Sequence, residues 1–201
     1  QLFRAGLAWD LGDPAPEAVE LYRRALDVVP DQVLAFDALS HVLESREDWE
    51  GLATVTQRAA AAATDPDRAA GLWYLAGRLL AEHVGDADAG IAALKRTVEL
   101  SPGFHPARVL LRDVLSCVHD VASVLGLLET EADTEEDPGV KAWHLFHATL
   151  LGSVLPGTEL DSLASRILAT RDDHAGALET LLRLALRSGD RSAAAARLEQ
   201  W

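Results

Sequence analysis

Four prolines recur at one fixed interval and constrain the fold of this chain more than any other feature. Consecutive members of the set lie 36 residues apart: Pro30, Pro66, Pro102 and Pro138. Proline ends helices because its ring removes a backbone N–H donor and clashes with the preceding turn. A fixed period of roughly 20 to 50 residues is typical of proteins built from repeated structural units. The spacing therefore predicts a repeat array.

The stretch that leads to the first of these prolines is used twice. Residues 17–30 (EAVELYRRALDVVP) and residues 89–102 (AGIAALKRTVELSP) share the placement of a bulky side chain, a basic pair and a final proline. Tyr22 of the first copy corresponds to Leu94 of the second. Apolar residues of the first copy recur every three or four positions, which is the spacing of one helix face. The repeated element is therefore predicted to be an amphipathic helix.

The rest of the chain is predicted to continue as helices that pair through short turns. Its apolar residues keep helical spacing, and no segment alternates in the manner of a β-strand. Alanine-rich runs such as residues 59–63 favour helices that approach one another closely. We expect one all-α repeat domain of about six antiparallel helical hairpins. Their approximate bounds are residues 1–30, 31–66, 67–102, 103–138, 139–172 and 173–201.

A hairpin of this size cannot bury its apolar face alone, so successive hairpins are expected to stack on one another. Such stacking produces an α-solenoid in which each unit contacts only its neighbours. Such an array is expected to be elongated and superhelical, with one concave and one convex surface. The basic pairs at residues 23–24 and 95–96 fall on second helices.

These hairpins resemble the tetratricopeptide repeat, whose signature is W-x2-L-G-x2-Y in a first helix and A-x3-F-x2-A, then proline, in a second. Hairpins two and three add two residues each to the usual length of about 34. Hairpin four follows the signature loosely, since Arg108, Arg112 and Glu131 occupy apolar positions, and hairpin five follows it loosely without a definite register. The resemblance implies a right-handed superhelical α-solenoid. The best match is hairpin one, with Leu2, Ala5, Gly6, Trp9, Ala18, Tyr22, Ala25 and Pro30.

The charge of the chain limits its partners. It carries 32 acidic and 18 basic residues, for a formal net charge of −14. Nucleic-acid binding depends on clustered lysine and arginine, so this charge argues against a nucleic-acid partner. It also disfavours docking on anionic lipid, and no apolar run is long enough for membrane insertion. The charge favours a neutral or basic partner.

The ends of the chain and its single cysteine bear on location. Cys117 excludes an internal disulfide and favours a reducing compartment. The chain begins at Gln1, without methionine or a signal-like segment, and we interpret it as a piece of a longer protein. We expect a cytoplasmic location. The lack of Asn and Met beside abundant Ala and Arg is typical of a bacterium with a GC-rich genome.

Sequence patterns of catalytic and cofactor sites are missing. HExxH, CxxC, glycine-rich phosphate loops and G-x-S-x-G do not occur. His144 and His147 stand three residues apart on a predicted helix, but the sequence provides no third ligand nearby, so no metal site is expected. Cys117 is interpreted as a buried structural thiol. The sequence thus predicts a protein that is not an enzyme and has no cofactor.

The resemblance also implies where a partner would bind, because tetratricopeptide arrays usually hold peptides on the concave face. Acidic and aromatic side chains there would suit a basic partner segment with an apolar anchor. The alternative is that Trp73 and Trp143 pack between hairpins while the carboxylates are merely solvated. The residues expected to line the groove are Asp37, His41, Glu44, Trp73, Asp113, Trp143, His147 and Arg183.

An acidic run occupies residues 129–137, with six carboxylates in nine residues. We interpret it as a solvated, mobile connection after a helix that ends near Leu128. The alternative is a tether for a basic partner.

Three functions follow from these observations. The first is a non-enzymatic protein–protein interaction scaffold that binds a peptide or protein on its concave face. The second is a structural spacer or self-association module, because Leu2, Trp9, Leu198 and Trp201 leave both ends apolar and uncapped. The third is the regulatory arm of an enzyme whose catalytic domain lies outside residues 1–201.

Overall fold

The computed structural model describes residues 16–30 and 32–200 of the chain. These residues form eleven α-helices, and no β-strand occurs among them. The predicted all-α fold is therefore confirmed. The helices are α1 (Pro16–Val28), α2 (Val33–Ser45), α3 (Trp49–Ala62), α4 (Pro66–Leu79), α5 (Ala87–Leu100), α6 (His105–Cys117), α7 (Val121–Thr134), α8 (Pro138–Gly152), α9 (Leu160–Thr170), α10 (Ala175–Ser188) and α11 (Arg191–Gln200).

Consecutive helices pack on one another to form stacked hairpins. Contacts within hairpins join α2 to α3, α4 to α5, α8 to α9 and α10 to α11. Contacts between hairpins join α1 to α2, α3 to α4, α7 to α8 and α9 to α10. Each of these helices is thus buried by its own hairpin or by the next, as an α-solenoid requires. The first helix of hairpin one, predicted around Leu2 and Trp9, lies outside the described residues.

The contacts divide the chain into two units, residues 1–114 and residues 115–201, and the boundary falls within α6. Unit 1 has a core in which Leu39, Leu43 and Leu94 are among the largest fully buried side chains. In unit 2 the corresponding side chains include Leu145 and Ile167. Each unit therefore has an apolar core of its own. The organisation of residues 1–201 as a single domain stays a prediction.

Equivalent buried residues show how the repeats are spaced. In first helices, buried leucines recur at intervals of 36 residues, at Leu43, Leu79 and Leu115. In second helices, the intervals are 34, 38 and 34 residues, at Tyr22, Thr56, Leu94 and Leu128. These are the positions that the tetratricopeptide signature assigns to packing. The resemblance to that repeat is therefore confirmed as a feature of the fold.

The prolines that revealed the repeat are not structurally equivalent to one another. Pro30 and Pro102 lie in turns that follow α1 and α5, whereas Pro66 and Pro138 are the first residues of α4 and α8. Proline is tolerated both after the end of a helix and in its first turn. Their regular 36-residue spacing therefore combines two kinds of helix boundary.

Three turns between first and second helices share one geometry. A residue with positive φ ends the first helix and an aspartate caps the second, at Glu47-Asp48, His119-Asp120 and Gly189-Asp190. The aspartate N–H donates to the carbonyl five residues earlier at 2.9, 3.0 and 3.0 Å, respectively. Its carboxylate accepts the N–H three residues later at 2.9, 3.1 and 2.9 Å. The cap satisfies a donor that the helix itself leaves unpaired.

Hairpin three has two extra residues at this turn and accommodates them in a π-helical turn, Leu80–Val84. Gly85 follows with φ of 79°, and the Asp86 carboxylate then caps α5 by accepting the Ala89 N–H at 3.0 Å. The imidazole of His83 stacks on the indole of Trp49 in α3, with 4.2 Å between ring centroids. The wider π turn therefore keeps the capping arrangement despite the insertion.

The interpretation of residues 129–137 as a mobile connection is wrong. Helix α7 continues to Thr134, and within this run Glu131 and Ala132 are buried, with exposures of 4% and 0%. The helix persists because this last part packs against α8. The run ends in a cap, since the Asp137 carboxylate accepts the N–H groups of Gly139 and Val140 at 2.8 and 3.0 Å.

The expected burial of Cys117 is also wrong. Its thiol is free and exposed at the end of α6. The buried residues of this helix, Leu111 and Leu115, are four positions apart and define the packed face. Cys117 lies two positions beyond that stripe and so falls off the packed face.

Candidate functional site

The residues predicted to line a binding groove all lie on first helices. Unit 1 carries Asp37, His41 and Glu44 on α2, Trp73 on α4 and Asp113 on α6. Unit 2 carries Trp143 and His147 on α8 and Arg183 on α10. The assignment of these side chains to first helices agrees with the expected register. Their joint role in one groove stays a prediction.

The three residues on α2 form an exposed polar row. Asp37, His41 and Glu44 are spaced by four and three residues, which places them on one face of the helix. All three are exposed, whereas Leu39 and Leu43 of the same helix are fully buried. Helix α2 therefore exposes two carboxylates and one imidazole to solvent, while its leucines are buried.

The two tryptophans differ in their surroundings. Trp73 is half-buried and packs against the core of unit 1, as the packing alternative expected. Trp143 is 46% exposed. Its ring lies 4.0 Å from the ring of His147, centroid to centroid, and His147 Nδ1 donates to the Trp143 carbonyl at 2.8 Å. The structure thus brings together the two predicted residues of α8 as an aromatic pair in which Trp143 is exposed and His147 is half-buried.

This pair belongs to a longer row of five side chains, which we call the α8 stripe; four of them are exposed and apolar, and His147 is half-buried. Val140 is 42% exposed, Leu150 is 52% exposed, and Val154, in the turn after the helix, is 71% exposed. With Trp143 and His147, they follow one another at intervals of three, four, three and four residues. Intervals of this size place side chains along one side of an α-helix.

The opposite side of α8 is buried and small or apolar, with Ala142, Leu145 and Ala148 exposed by no more than 2%. A helix with apolar residues on both sides is normally covered on both sides. In α8, one side packs against α7 and α9, and the other carries the α8 stripe. Contiguous exposed apolar side chains of this kind mark interaction surfaces in soluble proteins.

Sequence reasoning identified two members of the α8 stripe and missed the other three. Val140 and Leu150 are apolar and lie at helical spacing, which in the sequence alone looks the same as a packed position. The available signal was the presence of apolar residues on two sides of the segment 140–154. Only the contacts of α8 show which face is covered.

Phe146 links α8 to the first helix of the next hairpin. Its ring lies 5.0 Å from that of His174, centroid to centroid, and packs so closely on Gly176 of α10 that a Cβ there would overlap it. Exposed residues of α10 include Leu186, which is 64% exposed, and Arg183, which pairs with Glu179. Both first helices of unit 2, α8 and α10, therefore expose apolar side chains, and α10 also exposes a charged pair.

Among residues 16–30 and 32–200, no three His, Cys, Asp or Glu side chains are grouped closely enough to hold a metal ion. His144, which was considered with His147 as a ligand pair, is turned toward α7, where its Nδ1 lies 3.3 Å from Oε2 of Glu131. None of the helices described is both long and apolar enough to span a membrane.

Comparisons with known proteins give structural likenesses only. No protein-family model matches the chain, and no curated protein matches its sequence. Among solved structures, the chain is similar to YrrB, described as a TPR protein with an unusual peptide-binding site. The identity is 19%, the match covers 89% of this chain and 97% of that chain, and the TM-score is 0.46.

Two further solved structures show comparable likeness. MamA from Desulfovibrio magneticus RS-1 is 18% identical over 90% of this chain and 92% of that chain, with a TM-score of 0.41. PilW, described as a widely conserved type IV pilus biogenesis factor, is 15% identical over 99% of this chain and 90% of that chain, with a TM-score of 0.40. The chain is thus similar to helical-repeat structures at low sequence identity.

Proposed function

We propose that this chain is a non-enzymatic scaffold that binds a partner protein or peptide through its first helices, with the α8 stripe as the main contact surface. The observation that carries the proposal is the exposure of Trp143 and Leu150, at 46% and 52%, on a helix whose other side is already packed. A tryptophan in such a position is a typical hot-spot residue of protein interfaces.

The energetic case rests on apolar burial. Covering a large apolar side chain contributes about 1.5 to 3 kcal/mol, so burial of two or three stripe residues would contribute roughly 3 to 9 kcal/mol toward offsetting the cost of association. The Trp143 ring is already held against His147, and its conformational freedom is reduced before a partner arrives. Such preorganisation lowers the entropic cost of binding.

The charge of the chain selects the partner. With a net charge of −14, the protein attracts segments that carry lysine or arginine and repels acidic ones over most of its surface. The exposed carboxylates of Asp37, Glu44 and Asp113 on first helices act in the same direction. We therefore propose that the partner segment combines an apolar anchor with basic residues. We also propose, from the single cysteine, that the scaffold works in the cytoplasm.

The proposal is tested by fluorescence polarisation with a labelled amphipathic peptide of leucine and lysine, read as a titration of the protein. The double variant Trp143→Ala, Leu150→Ala should bind this peptide about tenfold more weakly than the wild type. A matched control, Val28→Ala with Leu100→Ala, removes exposed apolar side chains from second helices and should leave the affinity within about twofold. Equal binding by wild type and stripe variant would remove the α8 stripe from the proposal.

Self-association is a second candidate, favoured by one observation. Leu198 on α11, the last helix described, is 60% exposed. A second copy that covers this residue would bury apolar surface that the hairpin alone leaves open. Light scattering at rising protein concentration should then show a dimer that Leu198→Glu converts to a monomer, and a wild-type monomer throughout would exclude this candidate.

A further inference from the structure

The second helix of hairpin five, α9, is shorter than the second helices that precede it in hairpins two to four. Helices α3, α5 and α7 have 14 residues each, whereas α9 has 11. Ala164 follows Leu128 of α7 by 36 residues, which is the interval of the repeat. The residues seventh from the C-terminal end of these four helices are all buried, and they are Thr56, Leu94, Leu128 and Ala164. The missing residues therefore belong to the start of α9.

Gly157 shows why α9 begins late. Counted back from Ala164 as in the other second helices, residue 157 is the position at which a helix of 14 residues would begin. Gly157 has φ of 86°, a left-handed conformation that an α-helix does not include. The helix begins at Leu160 instead, and its N-cap residue Glu159 makes no side-chain capping hydrogen bond. The first turn of a full-length second helix is thus absent from this hairpin.

A cavity lies beside this late start, between α9, α10 and α11 of unit 2. Its volume is about 420 Å³. Natural ligand pockets have volumes of roughly 300 to 1,000 Å³ and are mostly apolar with a few polar groups. The walls here include Leu160 from α9, Leu181 and Leu184 from α10, and Ala193 from α11. The cavity is therefore large enough for a small ligand and suits one with an apolar body.

The charged side chains that line this cavity are both acidic. Asp161 lies in the first turn of α9, and Asp190 caps α11, where its Oδ1 accepts the Ala193 N–H at 2.9 Å. Their two negative charges outweigh the positive ends of these two helices, each of which is equivalent to about half a charge. Helix α10 ends at the same cavity, and the C-terminal end of a helix favours cations. The electrostatics therefore favour a positively charged group.

Basic side chains do not offset these carboxylates inside the cavity. Among its described lining residues there is no lysine, arginine or histidine. Arg191 is separated from Ala193 by two positions, or about 200° around the helix, and so lies on the other side of α11. The arginine side chains described on α9, α10 and α11 are outside the lining, and they belong to Arg166, Arg183, Arg187 and Arg191. A ligand in the cavity would therefore meet two carboxylates and the aliphatic walls.

We propose that this cavity binds a small organic amine, with its ammonium group between Asp161 and Asp190 and its aliphatic body against the leucines. An ammonium group donates charge-assisted hydrogen bonds, which carboxylates accept. A free amine is favoured over a lysine of a partner protein because the volume, about 420 Å³, exceeds that of one side chain. No residue of the α8 stripe lines the cavity, so the inference is independent of the proposed function.

The test is an NMR titration that follows the amide shifts of the protein, with hexylamine, hexanol and hexanoate as probes of equal chain length. Hexylamine should produce saturable shifts at Leu181 and Ala193 and should bind about tenfold more tightly than hexanol, the effect of one charge-assisted hydrogen bond. Hexanoate should bind more weakly than either. Equal binding of hexanol and hexylamine, or the absence of saturable shifts, would overturn the inference.

Two charge variants separate the cavity from the net charge of the protein. Asp161→Asn with Asp190→Asn should weaken hexylamine binding about tenfold, while asparagine at position 190 keeps the cap of α11. The matched control, Glu136→Gln with Asp172→Asn, removes the same charge from exposed positions elsewhere in unit 2 and should stay within about twofold of the wild type. Equal weakening in both variants would reduce the effect to net charge and overturn the inference.

A third variant tests the apolar walls. Ala193→Leu places a larger side chain in the cavity and should abolish the hexylamine shifts, and the aspartate variants decide the matter if this variant unfolds. Tighter binding of a lysine blocked at both ends than of hexylamine would overturn the choice of a free amine. Trp143→Ala with Leu150→Ala should bind hexylamine as the wild type does, so failure of the proposed function leaves this result intact.

Discussion

Glu131 of α7 and His144 of α8 face each other across the interface of their helices, with Oε2 and Nδ1 3.3 Å apart and both side chains largely buried. This pair occupies a place where the sequence pattern of the repeat leads one to expect apolar residues. It ties the end of α7, the part expected to be a mobile connection, to the first helix of the next hairpin.

Replacement of either partner should therefore destabilise unit 2. We expect His144→Ala and Glu131→Ala each to lower the free energy of unfolding by about 2 to 4 kcal/mol, because each removes one partner of a buried polar contact. The double variant should lose less than the sum of the two, with a coupling of about 1 to 3 kcal/mol. Urea denaturation of the four proteins measures this coupling, and strictly additive losses would show that the contact contributes nothing.

Gly77 should tolerate no larger residue, because α4 and α5 approach closely at this point. A Cβ at Gly77 would lie 2.7 Å from Cγ of Leu94 and 3.2 Å from the carbonyl oxygen of Gly90. We expect Gly77→Ala to cost about 1 to 3 kcal/mol of stability through overpacking.

Gly71, in the same helix, provides the control. No atom lies within 4 Å of a Cβ built at this position, so Gly71→Ala should gain up to about 1 kcal/mol from helix propensity alone. Thermal unfolding of the two variants distinguishes these effects. A shift of both midpoints in the same direction would contradict the close approach of the helices.

Substitutions at two turn residues with positive φ, His119 and Gly189, should change stability in opposite directions. His119 has φ of 61° and Gly189 has φ of 75° in turns of the same geometry. His119→Gly should therefore raise stability by about 0.5 to 1 kcal/mol, and Gly189→Ala should lower it by about 1 to 2 kcal/mol, since a Cβ is strained in this region. Chemical denaturation measures both changes, and a destabilising His119→Gly would contradict the assigned backbone conformation.

The cap of α5 should depend on an oxygen rather than on charge. Asp86→Ala removes the acceptor of the Ala89 N–H and should cost about 1 kcal/mol, whereas Asp86→Asn keeps an acceptor and should be nearly neutral. Asp88→Asn removes a charge from the same helix end without removing this cap. Circular dichroism during thermal unfolding reports the three midpoints, and equal effects of Asp86→Ala and Asp88→Asn would assign the contribution to charge.

The binding groove stays a prediction, but two of its residues show what the sequence could and could not place. Helical spacing placed Trp143 and His147 on a first helix, and the structure confirms that placement. The same spacing could not say that Val140, Leu150 and Val154 remain uncovered, because apolar residues on both sides of a helix look alike until its neighbours are known. Trp73 is also a tryptophan on a first helix, but it packs against the core of unit 1 instead of remaining uncovered.

The prediction for the acidic run, residues 129–137, was wrong because it considered local composition alone. Local composition predicted a solvated connection, but burial of Ala132 against the neighbouring helix extends α7 to Thr134. Propensity and charge act within a few residues, whereas this helix end is stabilised by a contact with the next element of the chain.

The sequence by itself determined that the chain is a helical repeat, because apolar spacing, turn residues and the duplicated stretch of residues 17–30 are local properties written along the chain. Only the tertiary structure decided that the 36-residue proline spacing combines two kinds of helix boundary, that Glu131 lies opposite His144, and that one side of α8 stays open. These features depend on which helix covers which face, and that is a property of packing between segments far apart in the chain.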